Sequence, residues 1–282
     1  MMMLKLILLI LIIILFSVIS SDAGTIRIIY TANINGSLEN CGCGTDPLGG
    51  IGRIKTFIDT YRKAHRDALL IDGGDFFNSY PFPALNQAML QAMHLCAYDL
   101  VLPGDQAFIE GEEFYKSFET AMAGKILISN QASAAEIYKT FRFGTFGLLI
   151  TAILSPSAFE FIDKPEWINL LKTPAGSPSG QKDILRVAVF HGSRAEAEKF
   201  ASGQTKVDLI LMAHDQEKGF WKFNGGLLVG NGKDSEYVSV IEARYDAGWK
   251  IDVQQVSMSD TYPEPLEILD IIRAFKIETE GN

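Results

Sequence analysis

The stretch that most constrains this chain is Leu69-Leu70-Ile71-Asp72-Gly73-Gly74-Asp75. Three branched hydrophobes read as a buried strand, two glycines let the backbone turn tightly, and Asp75 is left at the strand's C-terminal edge. Four other apolar runs end in a similar way. Ile26–Thr31 leads into Asn33 and Asn35, and Leu100–Leu102 into Gly104 and Asp105. Val187–Phe190 leads into His191 and Gly192, and Leu209–Met212 into His214, Asp215 and Gln216. A single Gly-Asp end is ordinary turn chemistry. Five ends of the same polarity, carrying side chains able to bind metal, point to one shared site where open sheets build their sites.

With 282 residues, 48% of them hydrophobic, the chain can bury a full core. The formal charge is -9 and there is no Lys/Arg cluster, which argues against a nucleic-acid partner. Residues 1–23 read as a signal peptide: Lys5, an apolar stretch from Leu6 to Ile19, then Ser20-Ser21-Asp22-Ala23. The apolar part is short for a membrane span, and no later segment reads as one. The expectation is a secreted or periplasmic protein of residues 24–282, an uncleaved N-terminal anchor being the alternative. Cys41, Cys43 and Cys96 are an odd set, not a disulfide framework.

Between the motifs, Ile51, Ile54, Phe57, Ile58 and Tyr61 share one face of an expected helix, and His65 at its polar end reads as a solvated residue. A second helix carries Leu85, Met89, Leu90, Met93 and Cys96, with His94 at the margin of that face, and a third spans Glu112–Met122. Lys125–Ser129 reads as a strand, and Tyr138–Phe143 with Phe146–Leu154 as an antiparallel pair. Pro156, Pro165, Pro174 and Pro178 mark residues 155–183 as a mobile loop. Leu227–Val229, Tyr237–Tyr245 and Trp249–Ser257 read as strands and Pro265–Ile277 as a last helix. The alternation implies an α/β (α+β) fold of two mixed sheets sandwiched between helices.

At its strand ends the sequence resembles the metallophosphatase (calcineurin-like phosphoesterase) superfamily, in particular the catalytic domain of secreted 5′-nucleotidases. Tyr30-Thr31 with Asn35-Gly36-Ser37-Leu38-Glu39 resembles the family's opening motif, and Gly49-Gly50-Ile51-Gly52-Arg53 its helix start. Leu70–Asp75 resembles the second motif and Gly104-Asp105-Gln106 the Gly-Asn-His motif. His191-Gly192 resembles the fourth, and Ala213-His214-Asp215-Gln216 the Gly-His-x-His motif. The resemblance implies a single metallophosphatase-like domain without the C-terminal domain by which the nucleotidases grip the base.

The departures split the implied site in two. One metal of the family would here meet Asn33, Asn35, Asp75 and Gln216, three of them carboxamides and poor ligands for a transition metal. The other would meet Asp75, Asp105, His191 and His214, which form a complete set. Two carboxylates and two neutral imidazoles balance one divalent ion (Zn, Mn or Fe) and not two. Gln106 stands where the family has its proton donor, and a carboxamide does not titrate near neutral pH. Cys41-Gly42-Cys43 admits three roles: metal ligands, a redox pair, or a partner's contact. Cys96 reads as a core thiol.

Two functions remain in play at this level. One is a degenerate extracytoplasmic 5′-nucleotidase-like protein with one metal and little or no catalysis, acting through an extracytoplasmic protein partner. The other is an active secreted metal-dependent phosphoesterase that takes a phosphorylated small molecule.

Overall fold

The computed structural model describes residues 24–40, 42, 45–171, 183–203 and 206–281. The expected signal segment, Cys41, Cys43 and residues 172–182 of the expected loop lie outside them. Among the described residues, no helix is long and apolar enough to cross a membrane.

Two mixed sheets form the frame. The first has the order β11-β10-β1-β2-β3, from β1 (Thr25–Thr31), β2 (Leu69–Asp72), β3 (Leu100–Val101), β10 (Tyr237–Tyr245) and β11 (Trp249–Ser257). The second has the order β4-β5-β6-β7-β9-β8. Its strands are β4 (Lys139–Phe143), β5 (Phe146–Leu154), β6 (Ile184–Gly192), β7 (Leu209–His214), β8 (Lys218–Phe223) and β9 (Gly226–Asn231). β1, β2 and β3 run parallel, as do β5, β6, β7 and β9; β10, β11, β4 and β8 are antiparallel additions.

Strand periodicity decides which side chain meets which layer. Along β5, Leu148, Ile150, Ala152 and Leu154 belong to the main core, which also takes in Ile26 and Ile28 of β1. Ile153 of β5 belongs instead to a second cluster with Ala188, Phe190, Ile210 and Met212, covered by Ala197 and Phe200 of a helix. Parallel strands buried on both faces require such unbroken apolar sequence. The covering helix is α4 (Arg194–Gly203). The first sheet is covered by α1 (Ile51–Ala64), α2 (Pro83–Cys96) and α5 (Leu266–Glu280), with α3 (Glu112–Ala121) packed beside α2. Ile51, Ile54 and Ile58 recur at helical spacing and are all buried.

Two expectations need correction, and one strand carried no expectation. Lys125–Ser129 is not a strand: β3 is only two residues long, so its neighbour makes a single bridge, Val101 to Ile126. His65 is not simply solvated, since its ring packs 4.6 Å from that of Tyr61. β8 was not anticipated; its Lys-Gly-Phe-Trp-Lys-Phe sequence pairs with β9 as an outer hairpin strand. Cys96 is buried on α2, and burial pushes its thiol up to about 12.

Candidate metal centre

The parallel strands deliver their ends to one edge. The segments after β1 and β2 run side by side, with Asn33 N donating to Gly74 O (2.9 Å) and Asn35 N to Asp75 O (2.8 Å). Asp72 closes the β2 turn: its Oδ1 accepts the Gly74 N–H at 3.0 Å and its Oδ2 the Thr31 hydroxyl at 2.6 Å. Burial raises the Asp72 carboxyl to about 7 against the pull of those two donors.

Asn33 (φ 54°), Asn35 (φ 54°), Asp75 (φ 57°) and His214 (φ 74°) all adopt the left-handed backbone region, as do nearby Asp234 and Ser235. Six of the eight such non-glycine residues among those described therefore gather at this edge, and unfavourable backbone concentrates where a site over-determines it. Gly74 and Gly104 permit the close approach. A Cβ on Gly74 (φ 105°) would lie 2.6 Å from His191 Nδ1, and one on Gly104 would overlap the Asp75 carboxylate.

Asp75, Asp105, His191 and His214 converge, with one ligand atom from each within 4.8 Å of all the others. His191 Nδ1 lies 2.9 Å from the Gly73 carbonyl, which can only accept, so Nδ1 carries the proton. That leaves Nε2 facing Asp105 Oδ1 at 3.0 Å and Asp75 Oδ1 at 3.3 Å. His214 Nδ1 is 3.2 Å from Asp105 Oδ1 and 3.7 Å from Asp75 Oδ2. A carbonyl that fixes the tautomer of an imidazole whose other nitrogen faces carboxylates is the outer support typical of metal-ligating histidines.

The protonation pattern has the same cause. Burial would lower the His191 pKa, but Asp75 and Asp105 outweigh it and hold the imidazole up at about 10. His214 is raised to about 9 by its contacts with Asp105 and Asp75. Burial would raise Asp75, yet the two imidazoles hold it well below the usual carboxylate range. Two protons on the imidazoles, or one divalent cation, balance the two carboxylates. The residues fit a single ion: Asp75 Oδ1 is buried without a hydrogen-bond donor, and the set mixes the oxygen and imidazole donors that suit a divalent transition metal.

The carboxamides are occupied otherwise. Asn33 Oδ1 accepts the His214 N–H at 2.8 Å, while Nδ2 donates to Gly232 O (2.8 Å) and Asp215 O (3.3 Å). Asn35 Oδ1 accepts from Gln106 Nε2 (3.0 Å), and its Nδ2 donates to Asp234 Oδ1 (2.9 Å). Gln216 is exposed on the turn after β7 and joins neither network. The residues present do not fit a second transition metal. Sequence reasoning missed Asp234 and the latch made by Asp72. Asp234 had only a faint signal, an acid placed beyond an apolar run (Leu227–Val229) with Gly230 and Gly232 between, and without the adjacent Gly-Asp pair that singled out Asp75 and Asp105.

No family model matches the chain, and no curated protein matches it in sequence. Solved structures do. A sulfate thiohydrolase, SoxB, from Thermus thermophilus is 14% identical with a TM-score of 0.76, over 92% of this chain and 61% of its own. A 5′-nucleotidase precursor, also from Thermus thermophilus, is 19% identical with a TM-score of 0.73, over 91% and 59%. The calcineurin-like phosphoesterase YfkN from Bacillus subtilis is 15% identical with a TM-score of 0.68, over 91% and 98%. The chain therefore has the 5′-nucleotidase-like metallophosphatase fold, and it spans about three fifths of the length of the first two.

Proposed function

We propose that this chain is a degenerate member of the metallophosphatase fold that holds one divalent transition metal (Zn, Mn or Fe) through Asp75, Asp105, His191 and His214 and hydrolyses phosphoesters little or not at all. The carrying observation is the use of Asn33 and Asn35: both side chains are spent on hydrogen bonds at positions where the resemblance places ligands of a second ion. A bound ion would supply Lewis-acid polarisation of an oxygen ligand. The chain's own groups do the rest. The Gly73 carbonyl orients His191, the Asp72 latch holds the turn that presents Asp75, and Asn33 ties down the backbone of His214. Gln106 has no titrating proton for a leaving group.

Phosphoesterase and nucleotidase neighbours support a phosphorylated small molecule as the ligand class, and the apolar run of residues 6–19 supports an extracytoplasmic location. An extracytoplasmic protein partner is the complementary proposal for a chain that binds without turnover. The complete four-donor set favours a second reading, an active one-metal phosphomonoester hydrolase. Elemental analysis combined with a screen of phosphomonoesters and phosphodiesters separates the two. The first reading expects one equivalent of metal and no metal-dependent turnover. Metal-dependent turnover lost in Asp75→Asn would establish the second.

A further inference from the structure

Residues paired across neighbouring strands share a face of the sheet. Phe220 of β8 pairs with Val229 and Lys222 with Leu227, and both partners pack in the main core, whereas Trp221 pairs with Leu228 of the second cluster. β8 thus carries a lysine on the face that its neighbour β9 makes apolar. There the two sheets part around a cleft of about 770 Å³, lined by Lys206, Lys222 and Leu227 on one side and Tyr245, Trp249 and Ile251 on the other. The Tyr245 and Trp249 rings stand edge to face with centroids 5.3 Å apart, and each lies 5.6 Å from that of Phe146. Lys206 Nζ lies 3.5 Å from Asp208 Oδ1, and the other oxygen of that carboxylate accepts the Arg186 N–H at 2.9 Å. Asp246 on the neighbouring turn is paired with Lys250 at 2.5 Å. Among the described residues, Lys222 has no carboxylate partner, so the cleft keeps one uncompensated positive charge in a chain of formal charge -9.

We propose that this cleft is a second ligand site, for a small aromatic carboxylate whose ring packs on Tyr245 and Trp249 and whose anionic group meets Lys222. Small-molecule sites combine a largely apolar, aromatic lining with a few polar groups that fix orientation. A planar ring gains from offset or edge-to-face packing on an aromatic wall as well as from leaving water. The Lys222 ammonium then makes a charge-assisted hydrogen bond to the carboxylate. The site is separate from the metal centre. The cleft lies beside Leu227, which pairs with Leu209 at the start of β7, while His214 ends that strand at the opposite edge. A six-residue strand puts the two sites about 15–20 Å apart. The aromatic carboxylate therefore does not compete with a phosphorylated ligand at the metal centre.

The test titrates 2-naphthoate, and its neutral analogue 2-naphthalenemethanol, by calorimetry into full-length protein with and without metal. The wild type should bind 2-naphthoate with a Kd below about 1 mM, and at least about tenfold more tightly than the alcohol. Lys222→Glu should weaken 2-naphthoate by about tenfold or more and bring the ratio of the two ligands to unity or below, with the melting temperature unchanged because the side chain is exposed. Metal loading should leave the naphthoate affinity unaltered, whereas a carboxylate held at the metal centre would need the ion. No binding of 2-naphthoate up to about 1 mM, equal affinities for acid and alcohol in the wild type, a ratio unchanged in Lys222→Glu, or binding only after metal loading would each overturn the proposal.

Discussion

Asn33 accepts the backbone N–H of His214 on its side-chain oxygen at 2.8 Å, across a sequence separation of 181 residues. The other half of the same amide donates to two backbone carbonyls, of Gly232 and Asp215. One neutral side chain thus joins the ends of β1, β7 and β9. An aspartate there could still accept from His214, but it would face both carbonyls with lone pairs and leave them short of a donor.

Asn33→Asp should accordingly lower the stability of the metal-free protein by about 1–3 kcal/mol. It should not create a second tight metal site, because Asn35 and Gln216 remain unsuited to a transition metal. Chemical denaturation with and without metal checks both statements. A stability unchanged from wild type together with a second bound ion would reverse this account of Asn33.

Gly104→Ala should cut metal affinity by about a hundredfold or more. Its Cβ would overlap the Asp75 carboxylate and lie 2.6 Å from His191 Cε1, so two of the four donors must move. Gly203→Ala, where an added Cβ meets nothing within 4 Å, serves as the control and should retain wild-type affinity. Competition with a chelating dye gives both values.

The pH dependence of the metal-free protein follows from His191 and His214. Both imidazoles are raised from an ordinary value of 6.5, to about 10 and about 9. Their stabilising effect is present in full below pH 6.5 and is lost as pH rises through those folded-state values. Buried Asp72, raised to about 7, adds a loss in the same direction between its ordinary value of 3.8 and about 7. Metal-free protein should therefore melt at a lower temperature as pH rises from mildly acid to alkaline. Metal displaces the imidazole protons, so uptake at neutral pH should release close to two protons per ion, read as buffer-dependent calorimetric heats. Uptake without proton release would mean that the two histidines are not the groups displaced.

Much of the frame was legible because it depends on local sequence. The Leu-Leu-Ile run before Asp72, the Leu-Ile-Leu-Met run before His214 and the helical spacing of Ile51, Ile54 and Ile58 each carry their element unaided. The strand expected at Lys125–Ser129 had comparable local hydrophobicity, but its partner β3 ends after two residues, a length set by tertiary packing. β8 was concealed because an outer strand with alternating exposure needs few apolar residues. The four residues that converge as a candidate metal site could be picked out by their place after strands. The hydrogen bond from Asn35 to Asp234 could not, since the two are 199 residues apart and an Asn-to-Asp contact leaves no trace in either neighbourhood.

The central claim is that one half of this site is a metal centre and the other half a neutral hydrogen-bonded brace. Metal equivalents per chain, measured by elemental analysis after loading with excess Zn, Mn or Fe and exhaustive buffer exchange, test it most directly. The account predicts one tightly held ion in the wild type, none in Asp75→Ala, and one in Gln216→Ala. Two tightly held ions in the wild type, or one retained in Asp75→Ala, would contradict it.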